Sequence, residues 1–196
     1  MADRPRCWPA TDGLYVSYHD EEWGRPVRDE HGLYERLCLE GFQSGLSWLT
    51  ILRKRENFRQ AFAGFDPDAV ARFGERDVER LLGDAGIVRH RGKIEAAIAN
   101  ARGVLELREA GTPLHELVWS YAPVGYGVPQ TTADWQSQTP ESKELSKRLK
   151  AAGFRFVGPT TVHSAMEACG IVNGHHLDCW VHDAVERERA ALVSKR

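Results

Sequence analysis

Two cysteines and two histidines, divided between the two ends of the chain, have the types and spacing to hold a metal ion. His175 and Cys179 are four residues apart, so on a helix both would face one point. Cys7 and His19 could supply two further donors. Two thiolates and two imidazoles make a closed tetrahedral set, structural rather than catalytic, and zinc is the ion they favour. His176 and His182 are alternative donors to His175, and the four residues could instead serve separately in core and surface. A formed site would tie the start of the chain to its end. Structural zinc carries roughly 10–16 kcal/mol of apparent binding energy, a large share of any fold's stability.

A second chemistry lies in Glu40-Gly41-Phe42-Gln43-Ser44-Gly45-Leu46-Ser47-Trp48, where a carboxylate ends one apolar helical run beside two glycines and a large aromatic. Glycine permits backbone angles that let a ligand approach closely. Carboxylates accept hydrogen bonds from exocyclic amines, and aromatic faces stack on bases for roughly 1–3 kcal/mol each. A cationic base gains about 0.5–2 kcal/mol more per aromatic contact. Tyr15, Tyr18 and Trp48 are the candidate walls of such a pocket; an ordinary helix–loop–helix corner has the same pattern. A third constellation runs from Ala85 to Lys93, with Gly86 and Gly92 among Arg89, Arg91 and Lys93. Backbone N–H groups at a helix start attract anions, and a DNA phosphate held there fixes register without reading sequence. The alternative is a basic turn in water.

The elements that must carry these residues are helical. Glu30 to Phe62 reads as two helices around the corner, and Asp66-Pro67 as an N-cap followed by proline at the first helical position of a short helix through Phe73. Another runs from Glu75 to Leu82. A long one spans about Arg91 to Glu109, with Ile94, Ala97, Ile98, Ala101, Val104 and Leu105 at helical spacing. Thr112-Pro113 and Thr139-Pro140 open two more, Thr160 to Ala168 is helical, and the last helix is expected from Leu177 to about Leu192. Residues 1–29 have no sustained periodicity but are crowded with aromatics, and Ala122 to Gln138 is a loop rich in glycine and proline. No strand pair or repeat is evident, so the expected fold class is all-α.

With 196 residues, 42% apolar and 28% charged, the chain fits one domain or two small lobes sharing a core. No apolar run is long enough to span a bilayer, and no apolar signal core opens the chain, so a cytoplasmic protein is expected. The net charge of −2 does not favour nucleic acid, yet a local basic patch is enough to bind phosphates. Cys38 and Cys169 lie in apolar runs, as buried inert thiols do.

Several segments together resemble bacterial 3-methyladenine DNA glycosylase I, of the helix–hairpin–helix glycosylase superfamily. They are Leu14-Tyr15-Val16-Ser17-Tyr18-His19-Asp20-Glu21-Glu22-Trp23-Gly24, Cys38-Leu39-Glu40-Gly41 with Gly45-Leu46-Ser47-Trp48, and Arg53-Lys54-Arg55-Glu56-Asn57-Phe58. The likeness continues through Asp84-Ala85-Gly86-Ile87-Val88-Arg89-His90-Arg91-Gly92-Lys93-Ile94, Gly153-Phe154-Arg155-Phe156-Val157-Gly158 and Ala168-Cys169-Gly170-Ile171-Val172-Asn173. It covers nearly the whole chain, in the family's order and spacing. It implies a helix–hairpin–helix core over about 30–121 and a second lobe from 1–29 plus about 122–196, held by one structural zinc on Cys7, His19, His175 and Cys179. It implies that Glu40 contacts a flipped base, that Tyr18 and Trp48 sandwich it with Tyr15 beside them, and that Gln43 and Leu46 face the DNA. Gly86, Arg89, Arg91, Gly92 and Lys93 fall on the DNA-anchoring hairpin.

The implied activity is monofunctional hydrolysis of the N-glycosidic bond of 3-methyladenine in double-stranded DNA carrying alkylated bases, by a monomer. The chain departs from the family in placing Trp8 directly after Cys7, so Trp8 is not counted as a pocket wall. Many superfamily members carry an aspartate in the helix after the hairpin; here none lies between Asp84 and Asp134. Two other chemistries stay open on these residues. Lys93 could act as a Schiff-base nucleophile, and a non-catalytic damage-binding module could share the hairpin and clasp.

Overall fold

In a computed structural model, which describes residues 4–9, 11–123 and 126–193, the described residues form helices and connecting turns, with no strand among them. Helix α1 (Gly13–Ser17) runs directly into a π-helical turn, Tyr18–Glu22. There follow α2 (Glu30–Gln43), α3 (Trp48–Ala61), α4 (Pro67–Val70), α5 (Glu75–Gly83), α6 (Arg91–Glu109), α7 (Leu114–Ser120), α8 (Pro140–Ala151), α9 (Pro159–Ala168) and α10 (His182–Val193). The expected all-α architecture holds.

The central element is α2. It packs against α3, α6, α7 and α9, and buries Leu33, Tyr34, Leu37, Cys38, Leu39, Glu40, Gly41 and Phe42. A helix covered on several sides needs apolar residues beyond a single stripe, and its buried set accordingly wraps from Leu33 and Tyr34 through Leu37 to Leu39 and Phe42. The Tyr34 hydroxyl donates to the Ala97 carbonyl at 2.8 Å, so its one polar atom is satisfied inside the core. On its other side α6 receives α4 and α5, and α8 covers α9. Cys38 and Cys169 are buried, and burial pushes each thiol up to about 12, which keeps them inert.

Four boundaries differ from the sequence expectation. The aromatic N-terminal segment is partly helical, and the π turn, closed by Trp23 N–H to the Tyr18 carbonyl at 2.8 Å, inserts one residue that helical periodicity does not show. Helix α4 stops at Val70. The last helix starts at His182, because the residues before it are held in turns: Trp180 N–H donates to the Pro5 carbonyl, and the Asn173 amide donates to the His182 carbonyl. Gly41 lies inside α2 rather than breaking it. A Cβ there would lie 3.3 Å from that of Phe156, so the glycine serves close packing.

Gly170 ends α9 with a φ of +71°, and a Cβ on it would lie 2.5 Å from the Gly24 carbonyl oxygen. Backbone strain and backbone contact act together at this junction between the two ends of the chain. Gly170→Ala should cost about 2–4 kcal/mol, read as a lower urea midpoint; an unchanged midpoint would contradict this close-packing role.

Candidate active site and metal cluster

The corner after α2 is built as a helix end followed at once by a helix start. Ser47 caps α3 by accepting from Thr50 N–H at 3.2 Å, which leaves Trp48 as its first residue. Gly45 turns the chain at a φ of +81°. The ammonium of Lys93, from the first turn of α6, donates to the carbonyls of Phe42 at 2.9 Å and Ser44 at 2.6 Å. A cation at a helix C-terminus satisfies orphan carbonyls and the dipole together. Lys93 therefore holds the corner to the start of α6, its ammonium turned inward rather than toward the expected phosphate, and burial lowers its pKa.

Above this corner a pocket of about 300 Å³ opens, at the small end of ligand sites. Its aromatic lining includes Trp8, Tyr15, Tyr18, Trp23, Trp48 and Trp135, and its polar lining Glu40, Gln43, Ser164 and Glu167. The fold thus brings together Glu40, Tyr15, Tyr18 and Trp48, which the sequence singled out. Trp8 joins them, as do Trp23, Trp135, Ser164 and Glu167, which sequence reasoning did not place there. A charge within the apolar run Met166-Glu167-Ala168-Cys169 was the signal available for Glu167. The rings of Tyr18 and Trp48 lie 5.3 Å apart at 46°. A purine between two rings needs about 7 Å, two carbon–carbon contacts. In this structure the two rings therefore stand as one wall of the pocket, closer together than the expected sandwich around a base.

Glu40 is 6% exposed and makes no hydrogen bond or ion pair among the described residues. Burial pushes its carboxyl up to about 8; Glu167 adds to the rise and Arg36 opposes it. The Arg36 guanidinium is engaged by Glu22 at 3.3 Å. A buried carboxylate without a protein partner is costly unless something else supplies the hydrogen bonds, so this pocket is shaped for a ligand with a donor. Glu40, Gln43 and Ser164 also border a shallower groove with Leu46, Thr160 and Thr161, and Leu46 is exposed there.

Cys7, His19, His175 and Cys179 meet at one buried point, their donor atoms all within 4.8 Å of one another. His175 Nδ1 lies 3.4 Å from Cys7 Sγ and 3.5 Å from Cys179 Sγ, and His19 Nε2 lies 3.6 Å from Cys179 Sγ. Tetrahedral bonds of zinc length put nitrogen and sulfur about 3.6 Å apart, so the donor set fits the ion. The outer ring nitrogens are also engaged. His19 Nδ1 pairs with Asp20 at 2.8 Å, and His175 Nε2 with the Trp23 carbonyl at 3.0 Å, which sets the tautomer each metal-binding imidazole requires. Burial raises the Asp20 pKa, but hydrogen bonds from Arg6, His19 and Trp180 outweigh it and bring the carboxyl down to about 2.

His175 and Cys179 sit on turns before α10, not on the one helix face that the spacing predicted, and it is these turns that bring them together. His176 and His182 stay outside the set. The cluster adjoins the pocket: the Trp8 ring is 4.6 Å from that of His19, and the Trp23 ring 4.4 Å from that of His175.

Between α5 and α6 the turn is internally braced. Asp84 accepts from Gly86 N–H at 2.7 Å, and Lys54 donates to the Ala85 carbonyl at 2.9 Å. His90 caps α6 by accepting from Lys93 N–H. The Arg91 guanidinium is shared among Glu75, Glu79 and Glu95. Arg89 is exposed, with no ion pair among the described residues. Arg89 and the amides at the start of α6, Gly92 among them, remain the groups available to an anion.

The chain is similar to proteins of one known family. Residues 8–182 match a family model described as methyladenine glycosylase. DNA-3-methyladenine glycosylase 1 of Escherichia coli (strain K12) is 51% identical over 177 residues, covering 89% of this chain and 95% of the relative. A crystal structure of 3-methyladenine DNA glycosylase I (TAG) superposes with a TM-score of 0.88 at 47% identity, covering 91% of this chain and 100% of that one. A TAG variant in complex with 3-methyladenine superposes with a TM-score of 0.84 at 38% identity, covering 88% and 94%.

Proposed function

The chain belongs to the methyladenine glycosylase family, and on that premise we infer that it hydrolyses the N-glycosidic bond of 3-methyladenine in alkylated DNA, leaving an abasic site for base-excision repair. The observation that carries this reading is the unpartnered Glu40 carboxyl in an aromatic pocket. An adenine base flipped out of the duplex offers its exocyclic amine to that carboxyl and its face to the Tyr18–Trp48 wall. Methylation at N3 places a positive charge on the base, which aromatic faces favour and which makes it a good leaving group. Every factor of ten that the leaving group supplies spares the protein about 1.4 kcal/mol of barrier. This suits a chain with no aspartate on α6: Glu40 serves chiefly in recognition, with charge stabilisation and the placing of water as its further roles.

We read α5, the turn and α6 as the helix–hairpin–helix motif. Its amides with Arg89 hold a backbone phosphate, while Gln43 and Leu46 face the space the base vacates. The core over about 30–121 then carries this motif and the second lobe is clasped to it by zinc on Cys7, His19, His175 and Cys179. With four protein ligands the ion has no open position, so it supplies structure and not hydrolysis. Its effect on the site is to hold Trp8, Tyr18 and Trp23 where the pocket needs them. No described helix is long and apolar enough to cross a membrane; a monomer acting in the cytoplasm completes the reading.

Methylated duplex DNA incubated with the protein should release free 3-methyladenine, detected by chromatography, with the abasic strand uncut. Borohydride should trap no covalent adduct, because the Lys93 amine is committed to two carbonyls. An adduct that disappears in Lys93→Ala would establish a lyase instead.

A further inference from the structure

Helix α9 delivers a second carboxyl, Glu167, to the same pocket as Glu40. We propose that Glu167 is a second base-reading carboxyl beside Glu40, the two gripping the edge of the flipped purine with one acidic donor and one anionic acceptor. The proposal rests on the glycosylase reading of this pocket and names a second residue that would read the base.

Three features of the site support it. Neither carboxyl receives a hydrogen bond from the described residues, although Glu40 is 94% covered and the Glu167 side chain 84% covered, leaving 6% and 16% exposed. The Glu167 carboxyl sits within the aromatic box: a Cβ on Gly174 would lie 2.8 Å from its Oε1 and 3.0 Å from the Trp23 ring. One cation, Arg36, faces the pair from the Glu40 side, and its charge opposes the rise of the Glu40 carboxyl without cancelling it. His163, on α9, holds Nε2 3.7 Å from Glu167 Oε1, beyond hydrogen-bond distance, and burial keeps that imidazole below its usual pKa. Tyr126 faces Glu167 from the long loop, and burial followed by Glu167 pushes its phenol up to about 12. Glu40 is faced by Arg36 on α2, by the Tyr18 hydroxyl and by the Cys169 thiol. Of these only Arg36 is a cation; its Nη2 donates to Glu22 at 3.3 Å, Glu22 is held more closely by Arg55, and Arg36 Nη1 is buried without a hydrogen-bond partner.

Two largely covered carboxyls in one pocket do not both ionise readily, because like charges oppose one another and burial opposes each. Burial pushes both up to about 8. The singly protonated pair carries one negative charge, matching the single positive charge of an N3-methylated base. Its donor and acceptor match an adenine edge, where an amino group stands beside a ring nitrogen. A lone ionised carboxylate can only accept.

The test uses wild type, Glu167→Gln and Glu167→Ala, measuring single-turnover release of 3-methyladenine against pH and affinity for the free base. Glu167→Ala should lower both by about tenfold or more, the size of one hydrogen bond to a charged group. Glu167→Gln, which keeps a donor and an acceptor, should recover part of that loss. It should also change the pH profile. Without the second negative charge Glu40 ionises at lower pH, so the acid limb moves down, and the alkaline fall from loss of the pair's remaining proton disappears. Wild-type release and base affinity in Glu167→Ala, with a wild-type pH profile in the folded Glu167→Gln protein, would overturn the proposal alone. A wild-type protein that frees no 3-methyladenine would overturn the glycosylase reading, and this proposal with it.

Discussion

Glu40→Gln should lose most 3-methyladenine excision while becoming harder to unfold than wild type above pH 8. Both effects come from one fact, a buried carboxyl with no protein partner. On the DNA side, the amide is a weaker acceptor than a carboxylate and carries no charge to set against a cationic base. Loss of one hydrogen bond to a charged group is worth roughly 10- to 150-fold in excision.

On the stability side the Glu40 carboxyl is raised from 4.5 to about 8 in the folded protein. The folded state therefore keeps a proton that the unfolded state releases. The carboxyl's favourable contribution is fully present below about pH 4.5 and is lost as pH rises through about 8. The size of that loss is on the order of 3–5 kcal/mol. Glutamine does not titrate, so the variant's melting temperature should fall less than that of wild type between pH 5 and pH 8.5. Glu167 still contributes a fall of its own, and the comparison is the difference between the two proteins. A variant that excises at near wild-type rate would remove Glu40 from base reading.

Loss of the metal should have the larger effect on folding. With the donor set meeting the geometry zinc requires, a purified protein should carry one ion per chain. Cys179→Ser should lose the ion and the fold together, seen by metal analysis beside circular dichroism. The roughly 10–16 kcal/mol of apparent zinc binding is comparable to the entire stability of an ordinary domain. Loss of a bound ion should unsettle the N-terminal segment most, since Tyr15 and Tyr18 lie on two five-residue helical turns and Trp8 lies outside them. A folded, metal-free Cys179→Ser protein with wild-type melting would contradict the clasp, and a folded but inactive one would point to a catalytic ion.

Where local chemistry sets the structure, the sequence was legible. The bounds of α6, the Asp66 cap with Pro67 at the first helical position, and the Thr139 cap of α8 follow from periodicity and turn chemistry, and the helices form there. The corner at Glu40 was legible as a carboxylate beside an aromatic. What escaped depends on contacts between distant segments. Lys93 looked like one more basic residue of a basic turn; only the position of the α2 carboxyl terminus shows that it faces inward. Trp8 and Trp23 of the N-terminal segment converge with Trp135 of a distant loop. Glu167 reaches the pocket because α9 packs on α2. Even the metal pair His175 and Cys179 is presented by turns pinned through Asn173 and Pro5, a geometry no residue spacing encodes.

The central claim is that this pocket receives N3-methylated adenine and that Glu40 reads it. Single-turnover incubation of methylated duplex DNA with wild type and Glu40→Gln, each shown to be folded, with the freed bases separated by chromatography, measures it most directly. The account expects 3-methyladenine released by wild type and most of that release lost in the variant. Equal release by both proteins, or none by wild type, would contradict it.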